Sequence, residues 1–182
     1  MITTAGSATA LVADRIASLG QEVTTIPVSL SNELVQLLSD QLYQSPLKAI
    51  EELVVNAYDA DATECRVFVP EPGDLERRFV AVFDNGVGMD VDGLADLWQI
   101  GRSKKRLAEI EQRARRKQIG KFGIGKLATY AIANRVTYAS RKDGPVYSVT
   151  LDFRSFKPSP YGTNEAVTLI VHKTDQVDAI LK

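Results

Sequence analysis

An α+β fold, with a mixed, mostly antiparallel sheet carrying helices on one face, is what this 182-residue sequence predicts. Apolar residues switch between helical and alternating spacing without the strict strand–helix rhythm of a parallel sheet. Lys142-Asp143-Gly144-Pro145 makes a short hairpin between two strand-like runs, a connection that only antiparallel neighbours permit. The chain is 45% hydrophobic and 25% charged, enough for one core and too little for two comfortable domains.

The elements follow in order. Residues 31–43 (SNELVQLLSDQLY) place Leu34, Leu37, Leu38 and Leu42 at helical spacing behind a Ser31 cap. A second helix starts with Ser45 as cap and Pro46 at its first position, and runs to about Ala60. ECRVFV (64–69) and RFVAVFD (78–84) are strands, followed by an Asn85-Gly86 turn and a short helix from Asp90 to Trp98. A charged segment, 102–118, leads into a glycine-rich loop and a helix through TYAIANR. Strands at 135–141 and 146–152 flank the hairpin, KPSPYGT is a loop, AVTLIVH is the last strand, and TDQVDAILK has a helical pattern.

Composition excludes several classes. A net charge of -1 and a pI near 5.9 do not describe a general polyanion binder. The single Cys65 excludes an internal disulfide and fits a reducing, intracellular setting, where it fills a strand position. The first twenty residues lack a basic leader, and no stretch reaches the roughly 18 apolar residues of a membrane span. A soluble, cytoplasmic protein without a membrane role is the expectation.

Three stretches carry chemistry. GKFGIGKLA (120–128) has the glycines and lysine of a P-loop, but RARRKQI before it cannot be a buried strand and Leu127 offers no hydroxyl to a metal. Its glycines suit either close backbone approach to an anion at a helix start or a hinge into a packed helix. EELVVNAYDA (51–60) sets Glu52, Asn56 and Asp59 within about 60° of one another on a helix. Ile50, Leu53, Val54 and Ala57 take another, buriable side, while Glu51, turned by about 100°, points elsewhere. The stripe is either a solvated face or a site in which an amide oxygen holds Mg²⁺ and a carboxylate one turn away polarises water. VFDNGVGMD (82–90) ends a strand on Asp84, which can accept from an exocyclic amine. Gly86 and Gly88 let backbone pass close to a flat ring on which Met89 packs; the alternative is a plain Asn-Gly turn. The order and spacing of the three stretches together favour a nucleotide site.

With those motifs in place, the sequence resembles the GHKL ATPases: gyrase B, heat-shock chaperone ATPases, histidine kinases and mismatch-repair ATPases. EELVVNAYDADAT is similar to their first motif, with DADAT closest to mismatch-repair proteins. DNGVGM matches the second, and GKFGIGKLATYAIANRVTYASRK looks most like the third as heat-shock chaperones carry it. The resemblance covers roughly Leu34 to Val171 and implies a Bergerat-type two-layer α/β sandwich. It implies Glu52 as general base, Asn56 as Mg²⁺ ligand and Asp84 as adenine anchor, with Gly86, Gly88 and Met89 lining the pocket. The backbone of Phe122, Gly123, Ile124 and Gly125 would hold the phosphates of ATP, with Gly120, Lys121, Lys126 and Asp59 also among the nucleotide-binding residues. GRSKK resembles the start of the family's ATP lid, so Ser103 and Lys104 are expected to reach the phosphates. The fourth motif is blurred: Gly162-Thr163 is separated from its strand, so Thr163 or Thr168 could serve, and strand register favours Thr168.

The implied organisation is an N-terminal extension or strap (1–30, or an extra strand around Glu22 to Val28), an ATP-binding domain (31–173) and the start of a connector to a further region (174–182). The implied function is an ATP-hydrolysing clamp that self-associates when nucleotide closes its lid and works with a downstream domain or partner protein. Without a Lys or Arg from a following domain, turnover should be slow. A binding module without useful hydrolysis and a histidine-kinase-like phosphotransferase are the alternatives; the only histidine, His172, lies in a strand pattern. DNA contact is possible through the basic residues of 102–117, but no aromatic interleaving indicates it.

Overall fold

The computed structural model describes residues 2–4, 18–28, 46–74, 79–98, 116, 119, 129, 132–156 and 166–175. The expected helices at 31–43 and beyond Asp175 lie outside these residues. Of TYAIANR (129–135) only residues 130 and 131 lie outside; Ile132 and Ala133 N–H both donate to the Thr129 carbonyl and close a helical turn.

Strands β1 (Ile2–Thr4), β2 (Gln21–Val28), β3 (Cys65–Phe68), β4 (Ala81–Asp84), β5 (Arg135–Arg141), β6 (Val146–Asp152) and β7 (Val167–Thr174) form one sheet in the order β2-β7-β6-β5-β1-β4-β3. Every pairing among the described strands is antiparallel, so the α+β expectation holds with a more uniform sheet than a mixed one. β2 covers the strand expected around Glu22 to Val28. β1 has no counterpart in the sequence reading: it inserts between β4 and β5, pairing Ile2 with Val82 on one side and Tyr138 on the other.

Cross-strand register sorts side chains onto two faces. Tyr138 opposes Val149, which opposes Val171; Val136 opposes Leu151; Leu169 opposes Ile26. All of these are buried and form one core with Leu94 and Trp98 of the short helix α2 (Val91–Asp96) and the turn after it. Asp90 caps α2 by accepting from Gly93 N–H at 2.9 Å. Trp98 meets Tyr138 edge-on, with ring centroids 5.4 Å apart. The opposite face is more polar: Thr137 and Thr150 oppose each other there and share a hydroxyl hydrogen bond of 2.9 Å.

The longer helix α1 (Pro46–Asp59) packs on β4 through Ala49, Leu53 and Ala57, spaced four apart. Val54, expected inside, is 37% exposed. It is turned about 100° from Leu53, whereas Ala49 and Ala57 stay within about 40° of it and complete a narrow stripe. Small residues at 49 and 57 let the helix lie close to the sheet.

Burial gives Tyr138 a measurable signature. Its phenol is 1% exposed, and desolvation pushes its pKa up to about 12, partly opposed by a hydrogen bond with Thr129. Because the folded pKa lies above the unfolded one, this stability is fully present below about pH 10 and is lost as pH rises toward 12. Denaturant titration from pH 9 to 12 should show Tyr138→Phe losing about 2–3 kcal/mol less than the parent over that window, from a lower starting stability.

Candidate functional site

β4 ends in Asp84, on the same face as Val82 and hence as Tyr138, the face that α2 covers, and α1 packs on the same strand. Its cross-strand partner is Cys65. Burial and then the negative charge of Asp84 push the Cys65 thiol pKa up, as expected for neighbours on one face. The carboxylate is exposed and accepts from Gly86 N–H at 2.9 Å, an Asx-type turn that reverses the chain as the strand ends.

Each residue after Asp84 is fastened to something else. Asn85 Oδ1 accepts from Thr63 N–H (2.9 Å) and Glu64 N–H (2.8 Å), and its Nδ2 donates to Thr63 Oγ1 (2.8 Å). Val87 N–H donates to the Ala60 carbonyl at 2.9 Å, just past α1. A Cβ at Gly86 would lie 2.7 Å from both the Cβ and the carbonyl oxygen of Ala60. Gly88 has φ +69, and a Cβ there would lie 2.0 Å from the Arg141 carbonyl oxygen. Met89 N–H donates to Ser140 Oγ at 2.6 Å, and Asp90 pairs with Lys142 at 2.8 Å. Residues 84–90 are thus wedged between the end of α1 and the β5–β6 hairpin.

On α1, Glu52 is half-buried, Asn56 is exposed and Asp59 is half-buried. Glu51 points elsewhere, as its rotation requires: it pairs with Lys48 at 2.9 Å, and that hydrogen bond raises the lysine's pKa. The Ala60 contacts bring this helix and the Asp84 turn together. Asp59 accepts from Ile119 N–H at 2.9 Å, so its described partner is the chain itself. Among the described residues no three His, Cys, Asp or Glu side chains cluster to hold a metal.

Thr168 does not join this group. It is exposed in β7, opposite Pro27, and alternates with the buried Leu169, so it lies on the face away from Asp84. Val167 takes the neighbouring position on the core side. Ser103, Lys104, Gly120, Lys121, Phe122, Gly123, Ile124, Gly125, Lys126 and Thr163 lie outside the described residues. Sequence reasoning placed Asn85 in a turn, Lys142 in the hairpin and all four of Asn85, Thr63, Ser140 and Lys142 within its motifs, but gave none of them a part in holding the turn. The Asn-Gly turn signal pointed at Asn85, whereas nothing local in Ser140-Arg141-Lys142 points to residue 89.

The structure thus sets an exposed carboxylate on a glycine-tightened turn beside a helix bearing a carboxylate and an amide one turn apart, on an antiparallel α+β sheet. Residues 43–180 match the profile of the histidine kinase-, DNA gyrase B- and HSP90-like ATPases, and the chain belongs to that family of ATP-binding, ATP-hydrolysing domains. It is 33% identical over 132 residues to the chaperone protein HtpG of Hydrogenovibrio crunogenus, covering 62% of this chain and 21% of that one. It is 41% identical over 78 residues to the mouse ATPase MORC2B, covering 42% and 7%. It is 35% identical over 118 residues to HgiDII of Herpetosiphon aurantiacus, provisionally named a type II restriction enzyme, covering 64% and 18%. The match thus spans about a fifth or less of each of these relatives.

The wedge makes residue 88 the most sensitive position of the turn. Gly88→Ala must both adopt a positive φ and displace the Arg141 carbonyl. It should cost at least about 2 kcal/mol, a Tm lower by roughly 4–8 °C in a melt monitored by circular dichroism.

Proposed function

We propose that this chain binds ATP with Mg²⁺ and hydrolyses it slowly, serving as the nucleotide gate of a larger protein. The observation that carries the reading is the direct fastening of the Glu52–Asn56 helix to the Asp84 turn through Ala60. It holds Asp84 beside the helix of Glu52 and Asn56, which supports reading them as the acceptor for a purine amine and the two groups that phosphate chemistry needs. Asp84 accepts from the exocyclic amine of adenine, while Gly86 and Gly88 keep the pocket wall free of side chains and Met89 packs on the ring.

Asn56 suits Mg²⁺ because its amide oxygen is a hard, exposed donor. One or two protein oxygens suffice when substrate phosphates complete the octahedron, so no carboxylate cage is needed. When bound, the cation would neutralise phosphate charge. Glu52, one turn before Asn56, holds the attacking water and takes its proton. The glycine loop 120–125 then cradles the phosphates with backbone N–H groups, with Ser103 and Lys104 of the basic segment over them.

In this reading residues 102–117 are the lid, and nucleotide closure drives self-association of the larger protein, whose effector functions lie in other regions. Relatives bearing the names of a chaperone, an ATPase and a restriction enzyme suit a gate that serves different effectors. Among the described residues no helix is long and apolar enough to cross a membrane, and a cytoplasmic setting is proposed. His172 sits within β7, between Glu22 of β2 and Ser148 of β6, rather than on a helix, which disfavours the phosphotransferase reading.

Two measurements test this. ATP with Mg²⁺ at about 100 times its Kd should add roughly 2.7 kcal/mol, raising Tm by about 5–10 °C; GTP should not, and EDTA should weaken the shift. Asp84→Asn should abolish the shift. Glu52→Ala should keep the shift and lower phosphate release by about 10²- to 10⁴-fold. Retained turnover in Glu52→Ala removes the general base assigned here, and no turnover in the parent leaves a binding-only gate.

A further inference from the structure

A carboxylate in the last turn of a helix faces the negative end of the helix dipole, and α1 has no basic residue in its last turn to offset Asp59. Two contacts reach this end of the helix from more than fifty residues further along. Ile119 N–H donates to Asp59 Oδ1 at 2.9 Å. Arg116 donates from Nη1 to the Ala62 carbonyl at 2.8 Å and lays its guanidinium over the Tyr58 ring, 5.1 Å from the centroid. Three neighbouring positions at the end of α1 therefore grip two residues of a single short stretch. That stretch joins the basic segment 102–117 to the glycine loop that begins at Gly120.

We infer that Asp59 is a positioning residue that anchors the root of the phosphate loop, with Arg116 as the second half of the latch, rather than a ligand of the nucleotide. The inference rests on the nucleotide reading above. The helix that presents Glu52 and Asn56 also fixes where the loop begins, so metal-side and phosphate-side groups share one ruler. Arg116 stacked on an exposed ring is a contact that can open without unfolding the core, because neither partner belongs to the buried cluster. The latch sets how readily the chain on either side of it leaves α1.

The chemistry separates anchoring from ligation. Asp59→Ala removes the acceptor for Ile119 N–H, while Asp59→Asn keeps an acceptor oxygen and loses only the charge. Asp59→Ala and Arg116→Ala should each raise the KM for ATP by about 3- to 10-fold with kcat within about 2-fold. Asp59→Asn should bring KM back to within about 2-fold of the parent. If Asp59→Asn is as impaired as Asp59→Ala and Arg116→Ala has no effect, Asp59 acts on the nucleotide through its charge and the inference fails. A second readout needs no nucleotide. Digestion by a lysine-specific protease, whose sites Lys104, Lys105 and Lys117 survive all three substitutions, should be several-fold faster in Arg116→Ala and Asp59→Ala than in the parent. Unchanged digestion overturns the latch whether or not ATP binds. A parent that does not bind ATP but shows the digestion difference retains the latch and removes the nucleotide reading alone.

Discussion

The close approach of one backbone to another at Gly86 and Gly88 is the constraint on which the rest of the site depends. At Gly86 the turn lies against Ala60, and at Gly88 it lies against the carbonyl of Arg141, with no room for a methyl group at either position. These two contacts join elements far apart in the chain: the end of α1, the end of β4 and the start of the β5–β6 hairpin. Hydrogen bonds from Val87 to Ala60 and from Met89 to Ser140 then fix the orientation that the close packing permits. A side chain at either glycine would force α1 or the hairpin outward, and with it the stripe that carries Glu52 and Asn56.

The two ends of the site are held by different physics. The Asp84 end is held by backbone packing and short hydrogen bonds next to a core that includes Leu94, Trp98 and Tyr138. Such an arrangement is pre-formed, and a flat ring that enters it orders little of the protein. The loop root is held by Asp59, Arg116 and Tyr58 at the surface, where a hydrogen bond or a cation–ring contact is worth about 1 kcal/mol. In the proposed reading a firmly packed half selects the base and a lightly fastened half meets the phosphates, which is what a domain needs if nucleotide is to shift its conformation. The same molecule can then be stable and responsive, because the two demands fall on different residues.

Much of this was legible in the sequence. Local signals placed α1, α2, the hairpin and strands β2 to β7, because Pro46, Asp90, Gly144 and the alternation of Val and Leu each act within a few residues. Spacing set Glu52, Asn56 and Asp84 in neighbouring motifs, and the structure brings the helix of the first two against the turn of the third through Ala60; their roles are part of the proposal. What could not be read were the pairings made across the fold. β1 is three residues of low complexity in pattern, and its place between β4 and β5 depends on a gap in the sheet, not on anything in Ile2–Thr4 alone. Thr168 was favoured on register, yet alternation with Leu169 turns it to the other face, a one-residue phase that the preceding loop obscured. The burial of Val54 was overestimated for a similar reason: a helical stripe defined by small residues is narrower than one defined by hydrophobicity.

The Lys142–Asp90 pair shows which kind of interaction governs the turn. Its side chains remain 40% and 43% exposed, and a pair so open to solvent contributes about 0–1 kcal/mol, less in salt. Asp90 Oδ1 already serves as the cap of α2, so the lysine adds charge to a carboxylate whose position the helix has set. Removing the lysine leaves the cap, the Met89–Ser140 bond and the Gly88 contact in place. Removing the glycine leaves the ion pair with nothing to align. The electrostatic contact therefore follows from the geometry and does not create it. At the other end of the turn the Gly86 N–H reaches Asp84 while Gly86 lies flat against Ala60. Close backbone packing comes first, hydrogen bonds orient what it brings together, and the charges of Asp84, Glu52 and Asp59 act from positions that these have already fixed.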